Sequence, residues 1–74
     1  MDKIDVWHFC SMFFQCKHIE IHGWSVDECG NERWKHMSFT DQYDYRIMKE
    51  FKNYRVTQFK VLKKGFLDII ACEE

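Results

Sequence analysis

A chain of 74 residues holds one small domain and excludes a second, and a domain of this size buries only about 60 % of its unfolded surface. Hydrophobic residues make up 46 % of it, aromatic ones 18 % and charged ones 31 %, a globular composition that excludes a disordered tail. The net charge of −1 conceals three blocks: residues 1–45 hold four basic and eight acidic side chains, residues 46–64 seven and one, and residues 65–74 three acidic ones and no basic one.

Residues 1–10, MDKIDVWHFC, contain acidic side chains and no uninterrupted apolar run, so they read neither as a signal peptide nor as a membrane span. The expected location is the cytosol, with no membrane partner. Within that stretch residues 4–10 are rich in β-branched and aromatic side chains, which predicts a first strand. Residues 13–26 predict a second strand, long enough to bend at Gly23. Residues 27–31, DECGN, form a turn cluster in which Gly30 and Asn31 tolerate the left-handed backbone of a hairpin loop. Residues 32–39 then return as a third strand, completing an antiparallel meander.

The hydrophobic period changes at Thr40. Tyr43, Ile47, Met48, Phe51 and Tyr54 recur at helical spacing, with Thr40 as cap, Asp41 and Asp44 near the positive end and Lys49, Lys52 and Arg55 near the negative end. A helix over residues 41–53 is expected. Residues 56–62 read as strand, Lys63, Lys64 and Gly65 as a three-residue hairpin loop, and residues 66–73 as the closing strand, with a short terminal helix as the alternative. Asp68 would then be the outward residue of an edge strand, a position where charge discourages aggregation. The expected fold is a single α+β domain over residues 1–74: an antiparallel meander, one amphipathic helix and a C-terminal β-hairpin.

Three groups of residues bear on function. In CKHIEIHGW, alternation along a strand places Cys16, His18, Glu20, His22 and, if Gly23 keeps the phase, Trp24 on one face, opposite Ile19 and Ile21. The plainest interpretation is the solvated face of a half-buried strand. The HxExH pattern also resembles, locally, strand-borne HxH metal sites, without their partner ligands. A zinc-binding alternative would use His18, His22 and Cys16, with His8 or His36 as further ligands. Next, Arg46, Lys49, Lys52, Arg55, Lys60, Lys63 and Lys64 interleave with Phe51, Tyr54 and Phe59, the mixture of cations and rings that nucleic-acid binding needs. A pI near 6.4 and the helical spacing of Phe51 and Tyr54 favour a core role for the rings, and the same cations suit an acidic protein surface equally well. Third, Trp24 and Trp34, with Trp7, exceed what so small a core readily covers, and exposed tryptophans among polar groups anchor protein interfaces.

Catalysis has no comparable footing. Ser11, Ser25 and Ser38 lie in no nucleophile-elbow context, and Gly23, Gly30 and Gly65 are too scattered for a phosphate loop. Cys10, Cys16, Cys29 and Cys72 form no CxxC pair, so free thiols are expected in a reducing compartment. The expectation is a non-enzymatic, cofactor-free module that binds a protein partner, in the manner of a small regulator or inhibitor. Its length and composition would suit a small viral or mobile-element genome. Nucleic-acid binding is the first alternative and zinc binding the second.

Overall fold

The computed structural model describes residues 4–13 and 15–74. It has two short helices and four strands: α1 (Val6–Ser11), β1 (His18–Val26), β2 (Glu32–Phe39), α2 (Tyr45–Glu50), β3 (Tyr54–Lys63) and β4 (Phe66–Glu73). The strands form one mixed sheet in the order β2-β1-β4-β3. The two hairpins, β1–β2 and β3–β4, are antiparallel, whereas β1 and β4 lie parallel at the centre. The fold is α+β with a C-terminal hairpin, but the meander expected of the first three segments is replaced by a helix and one hairpin. The second hairpin extends the sheet instead of facing it.

Within residues 4–10, expected as strand, Val6 onward forms α1, while Ile4 and Asp5 pair with the edge of β3, the Ile4 carbonyl accepting from the Val56 N–H at 2.9 Å and Asp5 bridging antiparallel to Arg55. Asp5 caps the turn, its carboxylate accepting from the His8 backbone N–H at 2.8 Å and meeting the His8 Nδ1 at 2.7 Å. Val6, Phe9 and Cys10 then fall three and four residues apart on the buried side, so tertiary burial outweighs the strand preference of individual side chains. The strand beginning at residue 13 shortens to His18–Val26, and it passes through Gly23 without a bend. Phe14 lies outside the described residues. The helix expected over residues 41–53 contracts to Tyr45–Glu50. Its cap is Asp44, which accepts from the Arg46 N–H, and not Thr40. Tyr43 and Met48 are exposed, and Tyr54 begins β3 rather than continuing the helical stripe.

The turns follow the glycines. Gly30 (φ 85°) closes the loop between β1 and β2, and Gly65 (φ 82°) sits in a two-residue turn between β3 and β4, with Lys63 already paired to Phe66. Residues 66–73 form strand, and β4 is central rather than an edge. Ile19, Ile21, Phe39, Leu67, Ile69 and Ala71 turn to one side of the sheet, where α1 and α2 supply Val6, Phe9, Cys10 and Ile47, with Phe51 and Tyr54 between them. Gln42, buried at 4 % exposure, fastens the ends of this layer: its Oε1 accepts from the Cys16 N–H at 2.8 Å, and its Nε2 donates to the Cys10 carbonyl at 3.0 Å and to the Phe13 carbonyl. Both helices lie on this side. Among the described residues no helix covers the other face of the sheet. Among the described residues no helix is long and apolar enough to cross a membrane.

Candidate functional site: the open face of the sheet

Alternation sends His18, Glu20, His22 and Trp24 of β1 to the open face, while Ile19, Ile21 and Gly23 turn to the core. Pairing then decides their neighbours. In the β1–β2 hairpin Asp27 N–H donates to the Asn31 carbonyl at 2.9 Å, which makes Asp27 and Asn31 a hydrogen-bonded pair. Counting back along an antiparallel ladder, Trp24 opposite Trp34, His22 opposite His36 and Glu20 opposite Ser38 are all non-hydrogen-bonded pairs, the class whose side chains stand closest. From the other side β4 brings Phe66 beside His18, Asp68 beside Glu20, Ile70 beside His22 and Cys72 beside Trp24.

Two regions result. At the Val26 end of β1, Trp24 and Trp34 share a shallow cleft of ≈ 300 Å³ with Thr57, Ile70 and Cys72. Trp34 is 61 % exposed, more than a ring of that size retains when it serves only to cover a core. Toward the other end lies a polar network centred on Glu20. Its carboxylate receives the Ser38 hydroxyl, the His18 Nε2 at 2.9 Å and the His36 Nε2 at 3.0 Å. The Ser38 hydrogen bond, then those of His36 and His18, outweigh the opposing effect of burial and hold the Glu20 carboxyl below its ordinary range.

The His22 and His36 rings stack at 4.5 Å, 9° from parallel, and His18 stacks on Phe66 at 5.3 Å. His22 Nε2 lies 3.0 Å from Asp68 Oδ1, close enough for an ion pair when the imidazole is protonated. That oxygen is shielded from solvent, yet no donor among the described residues is aligned with it as a hydrogen bond.

The structure places all five residues singled out for partner binding, His18, Glu20, His22, Trp24 and Trp34, on this face, with Trp34 the direct cross-strand partner of Trp24. Cys16 is not in the row. It precedes the first paired residue of β1, so strand alternation does not extend to it, and it packs against the helix-side core, where burial raises its thiol pKa. Cys10, also on that side, is pushed up to about 12 by burial and by the nearby Cys16. Among the described residues no three His, Cys, Asp or Glu side chains are arranged to hold a metal ion, so His18, His22 and Cys16 do not form the ligand set considered from sequence. All four cysteines are free thiols.

The cations of residues 46–64 divide between two layers. Arg46 and Lys49 lie on α2, with Lys52 just beyond, whereas Arg55, Lys60 and Lys63 belong to β3 and Lys64 to its turn. Arg46 is engaged by Asp44 at 2.7 Å. Phe51 and Tyr54 are buried in the core, and Phe59 packs against Phe9 at 4.9 Å and Phe13 at 6.0 Å. Phe51 and Tyr54 are therefore committed to packing, whereas Phe59 keeps 53 % of its surface exposed. Asp68, Ile70 and Ser38 joined the site unannounced by sequence. Alternation in residues 66–73 does put Asp68, Ile70 and Cys72 on one face, but nothing in the order of residues says that this face adjoins His22. Comparison with protein-family models, curated proteins and solved structures finds no match.

Proposed function

We propose that the protein is a non-catalytic binding module that engages a protein partner through the open face of its sheet, acting as a small regulator or inhibitor. The observation that carries this reading is the Trp24–Trp34 pair, set cross-strand on a face that neither helix covers and beside a cleft floored by Ile70. A large apolar side chain of the partner would enter that cleft. The surrounding imidazoles, carboxylates and Ser38 would supply the polar rim that interfaces of this kind carry. The Glu20 network is already satisfied within the protein, so its side chains are pre-ordered and lose little further freedom on binding.

The test is capture of a partner on the immobilised protein, followed by calorimetric titration of the purified partner with wild type, Trp24→Ala and Trp34→Ala. Each truncation is expected to cost about 2 kcal/mol or more of binding free energy, with only modest dependence on salt. Parallel titrations use mixed-sequence single- and double-stranded DNA. Micromolar or tighter DNA binding at physiological salt, lost in the double change Lys60→Ala and Lys63→Ala and indifferent to Trp24→Ala, would replace this reading by the nucleic-acid one.

A further inference from the structure

At the opposite end of the sheet from the tryptophans, the β3–β4 turn gathers a second surface of different character. Elsewhere three cations are engaged by acids: Arg33 meets Asp27 at 3.3 Å, Lys35 meets Glu50 at 2.9 Å and Arg46 meets Asp44. Lys17, Lys60, Lys63 and Lys64 are all exposed and form no ion pair among the described residues. They belong to one neighbourhood. Lys17 N–H donates to the Gly65 carbonyl at 2.7 Å, Lys64 and Gly65 form the turn, Lys63 Nζ stands 4.4 Å over the Phe66 ring, and Lys60 lies two residues before the bulge at Leu62.

Between these cations lies uncovered apolar surface. Val61 and Leu62 are each 55 % exposed, although both sit in a strand. Val61 faces a cleft of ≈ 410 Å³ whose walls include Lys17, Lys64, Phe66 and Leu67. β3 is an edge of the sheet: Ile4 and Asp5 cover its start, the Ile4 carbonyl accepting from the Val56 N–H at 2.9 Å and Asp5 bridging to Arg55, and among the described residues no backbone pairs with the outer side of the regular stretch Gln58–Val61. Concave apolar space, a free strand edge and unneutralised positive charge coincide here.

We propose that this end of β3 is a second docking surface, separate from the tryptophan face, and that it takes an extended protein segment in which acidic and aliphatic side chains alternate. Charge complementarity selects the acidic residues, since four cations form no ion pair among the described residues. Main-chain pairing along Gln58–Val61 would orient the segment, and alternation would send an aliphatic side chain into the Val61–Leu67 cleft while its neighbours meet Lys60 and Lys63. A polynucleotide could reach the Phe59 and Phe66 rings but would leave the main-chain edge unused. A lipid surface would meet a recess where it needs a protrusion. The acidic segment is the occupant that uses the recess, the edge and the charge together.

The probe is a short blocked peptide of alternating glutamate and leucine, with an alternating lysine and leucine peptide as control, titrated into the full chain and followed by amide chemical shifts and calorimetry. Saturable binding of the acidic peptide alone is expected, with shifts confined to Lys17 and residues 58–67. The double change Lys63→Glu and Lys64→Glu should weaken it by about tenfold or more, from two lost attractions and two new repulsions. Val61→Thr, which keeps the strand preference and the charge, should weaken it severalfold. Trp34→Ala should leave it unchanged, so the fate of this proposal is independent of the open-face reading. Unaltered thermal melting would verify that each variant folds. The proposal is overturned by absence of saturable binding, by shifts that map elsewhere, or by tighter binding of single-stranded DNA or phosphatidylserine-containing vesicles than of the acidic peptide.

Discussion

Replacing Gly23 by alanine adds one methyl group to the core side of β1, and the structure specifies what that group would meet. A Cβ built there lies 2.7 Å from Tyr54 Cε2 and 2.9 Å from Phe51 Cε1, whereas carbon atoms in contact settle at about 3.5 to 4.0 Å. Both rings must retreat by roughly 1 Å. Neither has much room: Phe51 and Tyr54 are buried and packed edge to face at 5.2 Å, and Lys35 Nζ lies 5.2 Å over the Phe51 ring. Overpacking of this kind costs about 1 to 3 kcal/mol. Alanine recovers about 0.5 to 1 kcal/mol of it, because glycine is the poorer residue in a strand interior. The net loss centres on about 1 kcal/mol, which in a domain of this size lowers the melting temperature by roughly 4 to 8 °C. Thermal melting and urea titration of Gly23→Ala measure it directly. Combining Gly23→Ala with Phe51→Leu, which removes the ring Cε1, should be less destabilising than the sum of the two single changes. A Gly23→Ala protein that melts at or above the wild-type temperature would refute the claim that ring packing, rather than backbone conformation, demands glycine here.

Two further outcomes concern groups outside the hydrophobic core. Gln42→Ala removes the side-chain partner of the Cys16 N–H and of the Phe13 carbonyl, and one of the donors to the Cys10 carbonyl, which keeps the Phe13 N–H at 3.3 Å, and is expected to cost about 2 to 5 kcal/mol in denaturant titrations; a change below about 1 kcal/mol would show that water replaces the amide freely. The Glu20 carboxyl has a lower pKa folded than unfolded, so its ionised form stabilises the fold above the ordinary carboxylate value of 4.5, and this contribution disappears as the pH falls through the depressed folded value. Glu20→Gln should therefore be less stable than wild type at neutral pH, with the difference shrinking on acidification, and a pH-independent difference between the two would contradict the Ser38 and histidine hydrogen bonds as its source.

Local rules sufficed wherever one element's chemistry settled the matter. The alternation in residues 18–24 placed three polar side chains and Trp24 opposite two isoleucines, because a strand with one buried face admits no other phase. Gly30 and Gly65 marked the turns, since both positions require a backbone that other residues adopt only at a cost. Residues 32–39 and 66–73 read as strands and are strands. The partition of Ile47 and Phe51 into the core was likewise legible from spacing alone.

Tertiary structure decided the rest. Residues 4–10 carry strand-forming side chains, yet Asp5 caps a helical turn, and the spacing of Val6, Phe9 and Cys10 puts all three on the buried side of α1. The parallel pairing of β1 with β4 joins segments more than forty residues apart, and no local pattern encodes which strands become neighbours. That pairing made Asp68 the companion of His22 instead of an edge charge. Cys16, two residues before β1 begins, packs against the helix-side core while His18, Glu20, His22 and Trp24 lie on the open face. Side-chain phase is a property of a few consecutive residues, whereas adjacency in a mixed sheet depends on how two hairpins and two helices together bury one apolar surface.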